Sequence, residues 1–291
     1  MKSTITIGKN SPEPIEVNRF GYGTMRLTGP DIWGEPADRP QALEVLKTAA
    51  ASGVQFFDTA DYYGRDITNR LLAEALHPYP KNVVICTKVG GMRKDDKSWH
   101  PFIKPENLRA SIDNNLKTLR QERIQLVHLR MFNPSPVPFD EALDTMFDMQ
   151  KQGKIQHVGV SNVNAEQLTF AIKGWNIASV ENMYGYNQRG AMSRPGNITY
   201  GADDLLEICE QHEIPLIPFF SLQTAQTAEQ NKIVELAKKH QVTTSQMNLA
   251  WLLHKSDYIL PIPGTSKLQH LKENLDSVKI KLTKEEMEWL G

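Results

Sequence analysis

The sequence predicts an α/β protein built as a (β/α)8 TIM barrel, and two observations carry that expectation. Short β-branched or apolar runs alternate with longer amphipathic stretches, the pattern of βα units and a parallel sheet. The alternation repeats eight times with no low-complexity linker, so residues 1–291 read as a single barrel-sized domain. Strand candidates begin at Arg19–Gly23, Val54–Asp58, Val83–Lys88, Ile124–Arg130, Ile155–Ser161, Ser179–Asn182, Leu216–Phe220 and Ile259–Pro263. Helical stretches fall at Gln41–Ser52, Asn69–Leu76, Pro105–Leu119, Asp140–Lys151, Ala165–Ile172 and Ala202–Gln211. Pro105 and Glu106 are first-turn residues, because an N-terminal turn needs neither the missing proline N–H nor a positive charge. After the seventh strand come two helices, Glu229–His240 and Thr244–His254, the second capped by Thr244 or Ser245. The segment Ile5–Val17 reads as a hairpin across the far mouth of the barrel. A barrel gathers its site at the carboxyl ends of its strands, where Asp58, Lys88, Arg130, Ser161 and Phe219 fall.

Composition narrows the ligand. Hydrophobic residues make up 40% of the 291 and charged ones 23%, proportions that bury a sizeable core. With 33 Lys and Arg against 34 Asp and Glu, no long-range field gathers nucleic acid or an anionic membrane. The polar opening Met-Lys-Ser-Thr-Ile-Thr-Ile-Gly has no apolar signal region, and no later stretch is apolar enough to span a bilayer, so a cytoplasmic protein is expected. Cys86 and Cys209 lie far apart without metal-type spacing, which reads as two buried free thiols and no metal. A monomer is the default expectation.

The chemistry concentrates in Asp58-Thr-Ala-Asp-Tyr-Tyr-Gly64 and Cys86-Thr-Lys88, which offer a carboxylate, a phenol and an ammonium to one pocket. A tyrosine with its ordinary pKa of ~10 is a poor acid near neutral pH. A neighbouring ammonium stabilises the phenolate, and a carboxylate fixes the ammonium. Taken singly, Asp58 caps a helix, Tyr63 packs and Lys88 is exposed; together at strand ends, the three point to carbonyl reduction with Tyr63 as proton donor.

At this point the chain resembles the aldo-keto reductases, over essentially its whole length from Gly21-Tyr-Gly-Thr-Met25 to Glu273-Asn274. Gly153-Lys-Ile-Gln-His-Val-Gly-Val-Ser-Asn162 and Ile262-Pro-Gly-Thr-Ser266 continue the match in family order. The resemblance implies an NADPH lying across the barrel mouth without a Gly-rich loop, and the sequence contains no strand-linked dinucleotide fingerprint. It further implies that Lys88 lowers the pKa of Tyr63, that Asp58 holds Lys88, and that Gly23, Thr24, Met25 and Asp58 border the cofactor. Ser161 and Asn162 would bind the nicotinamide carboxamide. Phe219, with Ser221 and Leu222 beside it, would stack on the nicotinamide, although a core phenylalanine is the plainer reading. Gly264, Thr265, Ser266 and Lys267 would surround the adenosine 2′-phosphate where a helix starts, with His270, Glu273 and Asn274 towards the adenine. His270 stands where many relatives carry an arginine, so NADH stays open beside NADPH.

Two positions depart from the family pattern. In Ile124-Gln-Leu-Val-His-Leu-Arg-Met131, Arg130 occupies the place of the catalytic histidine, and His128 lies on the same face but deeper, where a structural role is expected. Arg130 cannot relay protons, yet its guanidinium donates fixed hydrogen bonds to a carbonyl, orients substrate and should favour phenolate at Tyr63. In Val180-Glu-Asn-Met-Tyr184, Glu181 stands where relatives place a glutamine on the nicotinamide amide, and a carboxylate there would favour the oxidised, cationic ring. A slip of one residue would put Asn182 there instead.

Arg130, the opening Arg19-Phe-Gly-Tyr-Gly-Thr-Met-Arg-Leu27 and the ending Pro261-Ile-Pro-Gly-Thr-Ser266 are most similar to the pyridoxal-reducing branch of the family. That similarity implies conversion of pyridoxal to pyridoxine, the cation at Arg130 suiting the phenolate beside the aldehyde. Trp33, Tyr62, Trp99, Met131, Phe132 and Tyr184–Tyr186 are the expected aromatic and apolar walls for a flat ring. Two alternatives stay open: a broad aldehyde reductase, and a nonenzymatic NADPH-binding sensor or regulatory subunit.

Overall fold

The computed structural model describes residues 2–189, 192–194, 198–200, 203–222 and 228–291. Strands β1 (Thr4–Ile7) and β2 (Ile15–Asn18) pair antiparallel with Ile5 opposite Val17, the hairpin the sequence predicts. The barrel staves follow as β3 (Gly21–Gly23), β4 (Phe56–Asp58), β5 (Val84–Arg93), β7 (Ile124–Arg130), β8 (Ile155–Ser161), β9 (Val180–Met183) and β12 (Leu216–Phe219), each parallel to its neighbour. β6 (Trp99–Phe102) folds back antiparallel on the outer half of β5, so that strand runs past the barrel mouth and Lys88 lies inside it, not at its end. β10 (Met192–Arg194) and β11 (Ile198–Tyr200) form a further hairpin, which alternation alone did not predict.

Between the staves lie α1 (Arg39–Ala51), α2 (Ile67–Leu76), α3 (Pro105–Leu119), α4 (Phe139–Lys151), α5 (Ala165–Gly174) and α6 (Asp203–Gln211), and beyond them α7 (Ala228–Lys239) and α8 (Thr244–Lys255). Ala202, the expected first residue of α6, is outside the described residues. The cap of α8 sits one residue before the expected pair: Thr243 and Gln246 form a reciprocal capping box. α9 (Leu268–Asp276) is followed by α10 (Lys284–Leu290), capped by Thr283 and Glu286.

The eighth expected strand, Ile259–Pro263, is a correction. It makes only an isolated bridge, Ile259 with Leu216, because Pro261 and Pro263 have no N–H to donate to a ladder. Their carbonyls nevertheless accept from Gly21 N at 2.9 Å and Gly23 N at 3.4 Å, while Leu260 N donates to Leu216 O at 2.9 Å. The prolines therefore meet β3 through carbonyls alone, while Leu260, between Ile259 and Pro261, supplies the N–H that reaches β12.

Inside the ring, Phe56, Val84, Cys86, Leu126, Ile217 and Leu260 pack on Ile5, Ile7 and Val17 of the hairpin. Residues of opposite parity, such as Phe57, Ile85, Val127 and Val160, pack outward on the helices. Phe56→Ala is expected to cost about 3–5 kcal/mol, since the void would open in a layer sealed by hairpin and staves. Urea unfolding measures it, and a loss below about 1 kcal/mol would contradict this layer as the barrel floor.

Candidate active site

The alternation that builds the floor also lifts the polar groups to the mouth. Above Phe56 on β4 comes Asp58, above Cys86 on β5 comes Lys88, and above Leu126 on β7 come His128 and Arg130. Register sets them side by side: Lys88 is opposite His128, Arg130 opposite Ser161, and Ser161 opposite Glu181.

Lys88 is the hub. Its Nζ donates to both oxygens of Asp58 at 2.6 Å and to the Thr59 carbonyl at 2.9 Å. Glu181 Oε1 lies 3.2 Å from the same ammonium, and Glu181 Oε2 lies 3.1 Å from His128 Nδ1. His128 Nε2 meets Ser179 Oγ at 2.8 Å, and its Nδ1 is 3.1 Å from Cys86 Sγ. Gly159 makes room for that imidazole, because a Cβ there would sit 2.3 Å from His128 Cδ2. His128 is thus buried as expected, yet it is tied to the site through Glu181. Tyr63 lies across Lys88, with Nζ 5.0 Å from the ring centroid.

Two carboxylates share one ammonium here. Burial opposes the charged form of Lys88, but Asp58 and Glu181 outweigh it and hold the ammonium well above its ordinary value. Burial would raise Glu181 too, but Lys88 and His128 hold it below the ordinary range. Asp58 is pushed up to about 8, by burial first and by the charge of Glu181 second, against the pull of Lys88. Asp58 is therefore the more easily protonated of the two carboxyl groups.

Burial also drives the Tyr63 phenol well above its ordinary value, and Lys88 opposes that rise without cancelling it. The sequence expectation has the right sign for Lys88 but omits the larger effect of desolvation. Arg130 acts one residue away from where it was expected: its charge opposes the rise at Tyr62, whereas Lys88, Asp58 and Glu181 are the charges that govern Tyr63.

These groups border a cavity of about 530 Å³ that also includes Gly23, Met25, Trp99, Phe219, Ser221, Leu222 and Gly264 among the expected residues. The guanidinium of Arg130 lies 4.6 Å from the Phe132 ring centroid, 5.0 Å from Trp99 and 5.7 Å from Tyr62. Its Nη1 and the Tyr62 hydroxyl are buried with no hydrogen-bond partner, two donors presented to whatever fills the cavity.

Several expected wall residues do not line it. Tyr184 and Tyr186 pack on Trp251, stacked at 6.0 Å and edge-on at 5.4 Å, and Tyr184 donates to Asp203. Trp33 sits between the guanidinium groups of Arg65 and Arg93. Met131 is buried in the core around the barrel, and Phe132 serves as the platform under Arg130. Asn182 is ruled out as the amide contact, because its side chain accepts from Val163 N at 3.2 Å and donates to Val163 O at 2.6 Å. Ile32, Arg26, Phe220, Ile262 and Pro263 line the cavity without having been singled out. Arg26 follows the Gly23–Met25 motif, Ile262 and Pro263 lie within Ile262–Ser266 and Phe220 stands between Phe219 and Ser221, so proximity to a motif was the available signal for these four, and Ile32 carried none.

The rim fits a nicotinamide dinucleotide in two ways. Asn162, held at φ 60°, a left-handed conformation that asparagine tolerates, buries its Oδ1 without a partner, an acceptor suited to a carboxamide N–H. A Cβ on Gly264 would stand 2.5 Å from the Gly23 carbonyl, so these two backbones approach as bare chain at the edge of the cavity. Beyond Gly264, Thr265 is anchored by Tyr22 and Ser266 by Gln41 Nε2 at 2.8 Å. Lys267 begins α9 with no side-chain cap, which leaves first-turn N–H groups for an anion. Lys267 and His270 are exposed and Asn274 is buried, while the Glu273 carbonyl accepts from Gln246. Thr24 is fully buried behind the rim.

A parallel barrel with Asp, Tyr and Lys gathered at its mouth, beside a rim with an unpartnered amide oxygen and an uncapped helix start, defines a carbonyl oxidoreductase type of site. The chain belongs to the Aldo/keto reductase family, which matches residues 19–290, a class of NADP(H)-dependent oxidoreductases. It is 37% identical over 289 residues to a pyridoxine 4-dehydrogenase of Escherichia coli, covering 97% of this chain and 95% of that one. It is 36% identical to an uncharacterized oxidoreductase of Schizosaccharomyces pombe over 92% of this chain and 84% of the other. Among solved structures, the thermostable aldo-keto reductase Tm1743 superposes with a TM-score of 0.80 at 28% identity, over 99% of this chain and 98% of that one. An aldo-keto reductase from Klebsiella pneumoniae in complex with NADPH shares the fold at 22% identity and a TM-score of 0.75, covering 100% and 94%. Among the described residues, no helix is long and apolar enough to cross a membrane.

Beside the site, Asp61 is half-buried with its Oδ1 shut away from solvent, its Oδ2 accepts from the Ser111 hydroxyl, and burial of the carboxyl pushes it up to about 7. A carboxyl raised on folding stabilises the fold at low pH, and that contribution is lost as pH rises from about 4 to about 7. Asp61→Asn is therefore expected to flatten the fall of stability across this window. Urea unfolding at several pH values reads it, and native and variant curves of equal slope would contradict a protonated Asp61.

Proposed function

We propose that this protein reduces pyridoxal to pyridoxine with NADPH. The observation that carries this reading is the Arg130 guanidinium, framed by Phe132, Trp99 and Tyr62, with a buried Nη1 that has no partner, on the wall shared with Lys88. A flat, hydroxylated pyridine aldehyde suits such a wall, because its rings stack and its phenolate meets a permanent cation. The identity with an Escherichia coli protein named pyridoxine 4-dehydrogenase points the same way.

When bound, NADPH supplies the hydride. Ser161 and Asn162 would hold its carboxamide, Phe219 would lie against its ring, and the start of α9 with Lys267 would take the 2′-phosphate. Tyr63 donates the proton to the carbonyl oxygen as the alkoxide forms, and Lys88, held by Asp58, offsets the negative charge left on the phenol. Arg130 orients the substrate and stabilises its phenolate and the developing alkoxide together.

The direct test follows NADPH oxidation by absorbance with pyridoxal, simple aromatic aldehydes and aliphatic aldehydes. A preference for pyridoxal that disappears in Tyr63→Phe is expected; even turnover across the set would make the protein a general aldehyde reductase, and cofactor binding without turnover would make it a sensor. Arg130→Ala is expected to lower kcat/KM for pyridoxal by about 10²-fold or more while NADPH binding persists. Undiminished pyridoxal turnover in that variant would remove Arg130 from the site.

A further inference from the structure

The charges on the cavity wall come from several strands. Arg26, Lys88 and Arg130 supply three cations against the carboxyl groups of Asp58 and Glu181, so loss of the Glu181 charge would leave the wall still more positive. Glu181 lines the same cavity and is 1% exposed. Register places it two strands from Arg130, with Ser161 on β8 between them paired to both. Its Oε2 is buried without an aligned hydrogen-bond donor, although His128 Nδ1 is 3.1 Å away, so the carboxylate is less than fully satisfied by the protein. Its charge is nonetheless well supported by Lys88 at 3.2 Å.

We propose that Glu181 and Arg130 form a compensating charge pair across Ser161, whose balance sets how strongly the pocket prefers oxidised over reduced nicotinamide. The inference rests on the reading that this cavity takes NADP(H). The two forms of the cofactor differ at the ring, which carries a positive charge when oxidised and none when reduced, while their phosphates are the same. A charge on the wall therefore changes the ratio of their affinities, and everything common to both forms cancels. Arg130 alone penalises the cationic ring, and Glu181 offsets that penalty from the neighbouring strand but one. Low dielectric in a buried wall makes each charge felt at this range. Lys88 keeps Asp58 as its partner when Glu181 is neutralised, so the substitution leaves no stranded charge and folding should survive.

Dissociation constants for NADP+ and NADPH, measured by fluorescence titration with no substrate present, test this. In Glu181→Gln and in Glu181→Met, the ratio Kd(NADP+)/Kd(NADPH) is expected to rise about tenfold. Glu181→Asp should stay near the native ratio, because it keeps the charge. Arg130→Gln should move the ratio the opposite way, and the double variant Arg130→Gln/Glu181→Gln should return towards the native value. An unchanged ratio in both neutral variants, or an equal rise in Glu181→Asp, would overturn the charge pair while leaving the cofactor assignment standing. Failure of the native protein to bind either cofactor would overturn the assignment itself and the inference with it. The Met variant, checked for native circular dichroism, carries the test if the Gln variant does not fold.

Discussion

One ammonium buried between two carboxylates organises this protein. Lys88 cannot sit in the barrel as a free charge, so Asp58 on β4 and Glu181 on β9 must both reach it, and the staves that bring them must keep their register. That requirement extends downward. His128 braces Glu181, Ser179 and Cys86 surround His128, and Gly159 leaves the space the imidazole occupies. It also extends upward, where the same strand faces deliver Arg130, Ser161 and the rim of the cavity. Chemistry at the mouth and packing at the floor are thus consecutive layers of one alternation.

The barrel was legible because strand and helix periodicities differ, and most staves were found within a residue or two. β7 and β8 have the bounds read from sequence, since each begins after a turn and ends on a polar side chain aimed at the mouth. The final stave was misread because β-branched and apolar residues imply a ladder, while two prolines remove its donors. The hairpin of β5 with β6 was missed because Trp99–Phe102 alternates with prolyl and histidyl residues and lacks the apolar signal of a buried strand.

The site was legible to the extent that motifs are local. Asp58, Tyr63, Lys88 and Arg130 could be named from short stretches, and their convergence follows from the barrel. What could not be read is competition between side chains distant in sequence. Tyr184 and Tyr186 look like substrate walls until Trp251 takes their faces; Asn182 looks free until Val163 takes its amide. The burial that lifts the Tyr63 phenol is likewise a sum over neighbours from several strands, and no single spacing encodes it. Arg130 and Glu181 stood out as separate departures from the family pattern, but only the pairing of both with Ser161 relates one to the other.

Everything turns on whether the clamped ammonium lets a buried phenol act as an acid. The measurement closest to that claim is the rate of hydride transfer in a single turnover, followed by NADPH absorbance, for native protein and for Lys88→Met, with cofactor binding and folding checked separately. A folded, NADPH-binding Lys88→Met protein that transfers hydride about 10³-fold more slowly is the predicted result. A folded, cofactor-bound variant within about tenfold of the native rate would contradict it, and Tyr63 would need another source of acidity.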